Sequence, residues 1–216
     1  MSGHCYIAGA GEFCPAVLPY NDDFVIAADA GYRALIAHGI VPDLVVGDFD
    51  SLGSAPDHPN IVFSPIEKDD TDMMIAIKQG LARGYKTFII NGGLGDGLDH
   101  TIANIQGLVY LLKNDACGYL ISRENCVTAI MNGTLKFKPV VSGRISVFCA
   151  GDKADGVTLT GLKYPLSKAT LTCDFPLGVS NEFSGAAAAI SVDSGILVVV
   201  WDGGLETLRD TDQLSF

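Results

Sequence analysis

Aspartate carries most of the chemistry this chain could do. Asp29 follows the apolar run Phe24–Ala28, and Asp48 and Asp50 stand in Gly47-Asp-Phe-Asp-Ser51 after Leu44-Val-Val. Asp72 closes Lys68-Asp-Asp-Thr-Asp72, and Asp99 lies in Gly95-Asp-Gly-Leu-Asp-His100. Any one of them, taken alone, reads as an N-cap or a solvated turn, which aspartate favours. Five at corresponding strand ends is harder to dismiss, because ligands of open α/β sheets sit outside the carboxyl ends of the strands. Two unit charges about 4 Å apart repel by about 4 kcal/mol at an effective dielectric of about 20. Clustered carboxylates therefore protonate or hold a cation. All-oxygen ligands suit Mg²⁺, which takes one or two carboxylates and completes its shell with water and phosphate. Asp48 and Asp50, at i and i+2, face the same way if strand geometry persists that far, and they are the expected metal ligands.

The remaining pieces fit a polyphosphate. Asn91-Gly-Gly-Leu-Gly-Asp-Gly97 follows a strand pattern and precedes a helical one, so backbone N–H groups and a helix N-terminus could meet phosphate oxygens. An ordinary flexible loop is the competing reading. Lys68 and Arg33 are the only Lys or Arg before Lys78, and Lys68 either pairs with phosphate or offsets Asp69 and Asp70. Gly9-Ala10-Gly11 has Cys14 where a dinucleotide fingerprint places its third glycine, and is read as a turn. His100 is the histidine of the cluster, placed to orient Asp99, to pack, or to transfer a proton.

These side chains need elements to hold them. Tyr6–Ala8, Phe24–Ala28, Leu44–Val46 and Thr87–Ile90 read as strands. Helices are expected over Ala30–Gly39, around Met73, Ile77 and Leu81 with a stop at Gly84, and around Ile102, Ile105, Val109 and Leu112. The alternation predicts a doubly wound, mostly parallel α/β domain over residues 1–124. From residue 125 onward the period becomes two, at Thr134–Lys138, Arg144–Cys149, Ala169–Phe175, Ala188–Val192 and Ile196–Trp201. That predicts an antiparallel all-β sandwich over residues 125–216.

Composition narrows the class. The chain has 216 residues, 14 Lys and Arg against 25 Asp and Glu, and a formal net charge of −11. Its 48% hydrophobic content excludes a disordered chain. The acidic balance argues against a nucleic-acid partner, which requires clustered cations. No apolar run approaches the length of a membrane span, and the N-terminal residues lack the basic start of a secretory signal. The six cysteines form no CxxC pair, so buried thiols in a cytoplasmic protein are expected.

Taken in order, the segments resemble the thiamine pyrophosphokinase (thiamine diphosphokinase) family. The matching stretches are Ala27–Leu35 (AADAGYRAL), Gly39–Gly53 (GIVPDLVVGDFDSLG), Lys68–Ile77 (KDDTDMMIAI) and Gly92–Ile105 (GGLGDGLDHTIANI). Thr160–Leu166 (TGLKYPL) and Gly178–Glu182 (GVSNE) continue the match in the β half. The resemblance implies an ATP- and Mg²⁺-binding α/β catalytic domain, a thiamine-binding β-sandwich, and a homodimer with active sites at the subunit interface. It places Asp48, Asp50, Asp72 and Asp99 on the family's Mg²⁺ and ATP-site acids, and Asp29 on the acid of its first motif. Lys68, Thr71, Gly95, His100 and Asn104 join Asp29 on the nucleotide side. Ser180 and Asn181 fall on thiamine-contacting positions, with Tyr164 as a stacking aromatic for the cationic thiazolium. One departure stands out: Gly97 occupies a position where the family usually has arginine, so the bidentate phosphate contact of a guanidinium must come from elsewhere, Arg33 or Arg123 being candidates, or ATP binds more weakly.

The implied reaction is attack of the thiamine hydroxyl on the β-phosphorus of ATP, giving thiamine diphosphate and AMP. Positioning and charge neutralisation supply most of the catalysis in such transfers. Asp48 and Asp50 would hold Mg²⁺, and Asp72 or Asp99 a second ion or the hydroxyl proton. Two rival readings are a DxD-type phosphohydrolase with Asp48 as nucleophile, and a non-catalytic nucleotide or thiamine binder.

Overall fold

The computed structural model describes residues 3–49, 56–63 and 70–208. The chain divides into two compact units, Met1–Arg123 and Glu124–Phe216.

In the first unit the strands are β1 (Cys5–Ala8), β2 (Phe24–Ala28), β3 (Leu44–Gly47), β4 (Ile61–Phe63), β5 (Thr87–Asn91) and β6 (Cys117–Ile121). The helices are α1 (Gly31–Ala37), α2 (Asp72–Ala82) and α3 (Leu98–Lys113). The strands lie in the order β6-β5-β1-β2-β3-β4, and every pairing is parallel. All four residues of β1 and of β3 are buried, as expected for strands covered on both faces. After β1 the chain builds outward through β2, β3 and β4, then returns to place β5 on the other side of β1. That reversal opens a crevice at the carboxyl ends of the central strands.

Local signals fix the helix ends. The Thr71 hydroxyl accepts from the Met74 N–H at 3.2 Å, capping α2. Past α1, Gly39 adopts φ +72° and its N–H bonds to the Ile36 carbonyl at 3.0 Å. On α2, a Cβ at Gly80 would lie 2.5 Å from the Phe88 ring and 2.6 Å from the Cys5 sulfur, so glycine lets the helix approach the sheet closely. Strands β4 and β6, which the periodicity did not single out, are short or continuously apolar and so carry no alternation. No described helix is long and apolar enough to cross a membrane.

The second unit contains β7 (Asn125–Met131), β8 (Thr134–Phe137), β9 (Arg144–Cys149), β10 (Lys153–Thr160), β11 (Leu166–Thr172), β12 (Gly178–Glu182), β13 (Ala188–Ser191), β14 (Ile196–Asp202) and a 3₁₀ turn at Leu205–Thr207. Strands β12-β9-β14-β7 pair antiparallel, as do β11-β10-β13-β8. The fold is thus a mostly parallel α/β region followed by an antiparallel sandwich. In the sandwich core, Phe137 stands edge-on to Phe183 at 5.2 Å and to Trp201 at 5.4 Å between ring centroids. The Trp201 indole N–H donates to the Thr207 hydroxyl at 2.9 Å.

Candidate active site

A cavity of about 290 Å³ lies at the carboxyl end of the parallel sheet. Its lining comes from separate chain segments: Gly9, Ala10 and Gly11 after β1, Ala28 and Asp29 at the end of β2, and Asp48 after β3. Thr71, Asp72 and Met73 at the start of α2, Gly92 and Asp96 after β5, and His100 and Asn104 on α3 complete it. Of the expected site residues, Asp29, Asp48, Thr71, Asp72, His100 and Asn104 therefore share one space. Asp50 and Lys68 lie outside the described residues.

The acids reach the cavity by backbone geometry rather than as helix caps. Asp29 has φ +48°, and its N–H donates to the Val46 carbonyl at 2.8 Å, fastening the end of β2 to β3. The residue ahead of α1 is Ala30, which offers no side-chain cap. Strand β3 ends at Gly47, and Phe49 turns left-handed with φ +62°, its ring buried and edge-on to Phe63 at 5.6 Å. Strand alternation therefore stops before Asp48.

Asp99 sits in the first turn of α3, exposed and apart from the cavity lining, where a carboxylate complements the helix N-terminus. Asp96, three residues earlier, lines the cavity instead. Gly97 has φ 179°, an extended conformation open to any residue, and a Cβ there would meet Asp99 Oδ1 at 2.7 Å. Gly95, at φ +88°, abuts Glu12 rather than the cavity. Arg123 Nε stands 3.6 Å from Glu12 Oε1, an exposed pair.

Sequence reasoning set Gly9-Ala10-Gly11 aside as a turn, whereas the structure makes it a wall of the cavity. The Gly9 N–H donates to the Asn91 carbonyl at 2.7 Å, Gly11 to Gly92 at 2.8 Å and Glu12 to Leu94 at 2.7 Å. The loops after β1 and β5 are thereby zipped together, too close for side chains between them: a Cβ on Gly9 would lie 2.5 Å from the Gly92 oxygen. Position directly after a buried strand was the available signal, and the fingerprint test hid it. On the opposite wall, buried Asn104 donates to the Gly93 carbonyl at 2.7 Å, tying α3 to the same glycine loop.

Asp29, Asp48, Asp72 and Asp96 contribute four carboxylates to the lining, and no Lys, Arg or Cys is among its described residues. Among the described residues, no three His, Cys, Asp or Glu side chains close on a single point. A cation held here by protein would use one or two carboxylates and leave positions for ligand oxygens, the habit of Mg²⁺ rather than of a caged Zn²⁺ or Ca²⁺.

The second unit holds the other expected residues. Asn181 is buried, and its side chain braces the chain at Tyr164: Oδ1 accepts from the Tyr164 N–H at 3.0 Å and Nδ2 donates to the Tyr164 carbonyl at 2.7 Å. Tyr164 is exposed, with Lys163 Nζ 5.2 Å from its ring centroid. Ser180 is exposed at φ +58°, and its N–H donates to the Ser146 hydroxyl at 3.0 Å. Asn181 thus acts on its neighbour's backbone, while Ser180 and Tyr164 present themselves outward.

Comparison with known proteins agrees with this arrangement. Residues 17–120 match the family model described as thiamin pyrophosphokinase, catalytic domain, and residues 134–197 the model described as thiamin pyrophosphokinase, vitamin B1 binding domain. A thiamine pyrophosphokinase of Bacillus subtilis is 29% identical over 201 residues, covering 89% of this chain and 94% of that one. The crystal structure of the thiamine pyrophosphokinase from Bacillus subtilis superposes with a TM-score of 0.81 at 27% identity, covering 94% of this chain and 100% of that one. That of a Geobacillus thermodenitrificans thiamin pyrophosphokinase gives 0.76 at 26%, covering 94% and 99%. At 15% identity the Candida albicans thiamin pyrophosphokinase, TM-score 0.78 over 94% of this chain and 89% of that one, shares the fold. With the two models together spanning most of its length, the chain belongs to the thiamine pyrophosphokinase family.

Proposed function

We propose that this chain transfers the diphosphoryl group of ATP to the hydroxyl of thiamine, with the polyphosphate seated in the cavity at the mouth of the parallel sheet. The observation that carries the reading is convergence: acids from the ends of β2 and β3, from α2 and from the β5–α3 loop meet two zipped glycine loops around one space of about 290 Å³. That space suits a polyphosphate better than a whole nucleotide, since sites for drug-sized ligands run from roughly 300 to 1,000 Å³.

Asp48 and Asp72 are the residues we assign to Mg²⁺, with Asp50 beside Asp48 in sequence and Asp29 and Asp96 within the same lining. When bound, Mg²⁺ neutralises phosphate charge and polarises the β-phosphorus. The chain's own contribution is positioning. The Gly9–Gly11 and Gly92 backbones present the phosphates with a surface carrying no side chain larger than the Ala10 methyl, Thr71 anchors the start of α2 beside them, and Asn104 holds the glycine loop in register. Asp72 or Asp99 would take the thiamine hydroxyl proton. Lys68, Gly95 and His100 complete the nucleotide side.

We assign the second unit, with Ser180, Asn181 and Tyr164, to thiamine, and residues 1–124 to ATP. A homodimer is supported by the exposed apolar side chains Phe175, Leu177 and Val179 at and beside β12. A cytoplasmic setting is supported by cysteines that are all free thiols.

Formation of AMP from ATP, measured with and without thiamine, tests the reading. AMP is expected to require thiamine and to fall about 10²-fold or more in Asp48→Asn. Free phosphate in place of AMP would indicate hydrolysis, and unchanged turnover in the variant would remove Asp48 from the site.

A further inference from the structure

Asn91 is the last residue of β5 and is completely buried in the parallel sheet, where asparagine is out of place unless its amide is fully used. Its carbonyl and its side-chain amide turn to the segment that follows β1 and to Tyr6 within β1. Its carbonyl accepts from the Gly9 N–H at 2.7 Å. Its side-chain Oδ1 accepts from the Cys14 N–H at 2.8 Å. Its Nδ2 lies 2.8 Å from the Cys14 carbonyl, 2.9 Å from the Val17 carbonyl and 2.8 Å from the Tyr6 hydroxyl, sharing two protons among three acceptors. The Tyr6 hydroxyl in turn donates to the Val17 carbonyl at 2.8 Å, and burial pushes its pKa well above the usual phenol value, so it stays a donor.

One residue thus fastens both ends of the segment from Gly9 to Val17, the near end through its backbone and the far end through its side chain. Between those anchors lie Ala10 and Gly11, which line the cavity. We propose that Asn91 is a positioning residue for the reaction: it touches no reacting atom, but clamps the β1 loop so that the Gly9–Gly11 backbone faces the polyphosphate preformed. The role rests on the functional reading above, because it assigns that backbone to ATP. A loop ordered before binding spares the ligand the entropy of ordering it, so loss of the clamp should appear in nucleotide affinity.

The test uses Asn91→Asp, which keeps size while replacing the amide donor with an acceptor, alongside Leu111→Ala, a core truncation in α3. Calorimetric titration of the full chain with MgATP, hydrogen exchange at Gly9, Gly11 and Cys14, and the KM for thiamine are the readouts. Asn91→Asp is expected to weaken MgATP about tenfold or more and to speed exchange at all three amides, with the thiamine KM changed by no more than about twofold. Leu111→Ala is expected to lose comparable global stability without loss of MgATP affinity. Wild-type affinity in folded Asn91→Asp, or an equal loss in Leu111→Ala, overturns the positioning role alone. Wild-type protein that takes up no MgATP overturns the reading of the cavity and this role with it. Should Asn91→Asp fail to fold, Tyr6→Phe removes one member of the clamp, and an unchanged MgATP affinity there overturns the proposal equally.

Discussion

Substituting Gly9 by alanine tests the zipped loops most directly. The added carbon would sit 2.5 Å from the Gly92 oxygen and 2.7 Å from the terminal methyl of Met73. Met73 can turn aside, but the carbonyl is backbone. Relaxing that contact to a tolerable carbon–oxygen separation of about 3.3 Å requires the two loops to part by about 0.8 Å. The Gly9–Asn91 and Gly11–Gly92 hydrogen bonds, at 2.7 and 2.8 Å, bridge that same gap. Losing both costs about 2 kcal/mol at about 1 kcal/mol each, which lowers a urea midpoint by about 1 M. Displacing a cavity wall by nearly an ångström costs about 10²-fold in kcat/KM for MgATP. Thiamine-dependent AMP formation measures the second effect and urea unfolding the first. Gly39→Ala is the control: it forces alanine into φ +72° with nothing within 4 Å of the new carbon, so it costs about 1 kcal/mol of backbone strain far from the cavity. Wild-type kinetics in Gly9→Ala, or an equal kinetic loss in Gly39→Ala, would refute the reasoning.

Gly97→Arg should tighten MgATP binding about tenfold, because the extended backbone there accepts any residue and a guanidinium fork would reach phosphate; calorimetry reads it, and weaker binding counts against the cavity as the polyphosphate site. Thr71→Ala should lower stability by about 1 kcal/mol through loss of the α2 cap, with Thr71→Ser restoring it in urea melts. Asn181→Ala should raise the KM for thiamine while leaving that for MgATP in place, since its amide braces the Tyr164 backbone. The His4–Asp23 pair sets a pH dependence. The hydrogen bond that the Asp23 carboxylate accepts from the His4 ring, at 3.1 Å, raises the imidazole pKa above its ordinary value against the opposing effect of burial. For Asp23, burial acts upward, but hydrogen bonds from the His4 ring and from the backbones of His4 and Tyr20 outweigh it and lower the carboxyl pKa. Stability from His4 is therefore present below the usual imidazole pKa and lost as pH rises through the raised one. Stability from Asp23 is present above the usual carboxyl pKa and lost as pH falls through the lowered one. The urea-midpoint gap between wild type and His4→Gln should be wide near pH 6 and narrow by pH 9, and a gap independent of pH would dismiss the pair.

Much of the architecture was legible because parallel strands announce themselves as short apolar runs and the helices by their stops at Gly39 and Gly84. Asp29, Asp48 and Asp72 were legible as a set because each ends such a run or opens a helix. What the pattern could not convey was direction. A left-handed turn at Phe49 ends strand alternation just past Asp48, and no spacing rule states that Asp96, in the loop ahead of α3, lines the cavity. Gly9–Gly11 escaped notice because the test applied to it asked for a third glycine. Its place in the cavity wall depends instead on a partner loop more than 80 residues away, with Asn91 as the clasp, and such pairings have no local signature.

The acidity of the cavity has a consequence for which form of the nucleotide is taken up. If the proposed seat for the polyphosphate is right, the four carboxylates among the described lining residues would repel an uncomplexed triphosphate and favour the same molecule already carrying a divalent ion. Chelation is then expected to lower turnover even when total ATP is abundant.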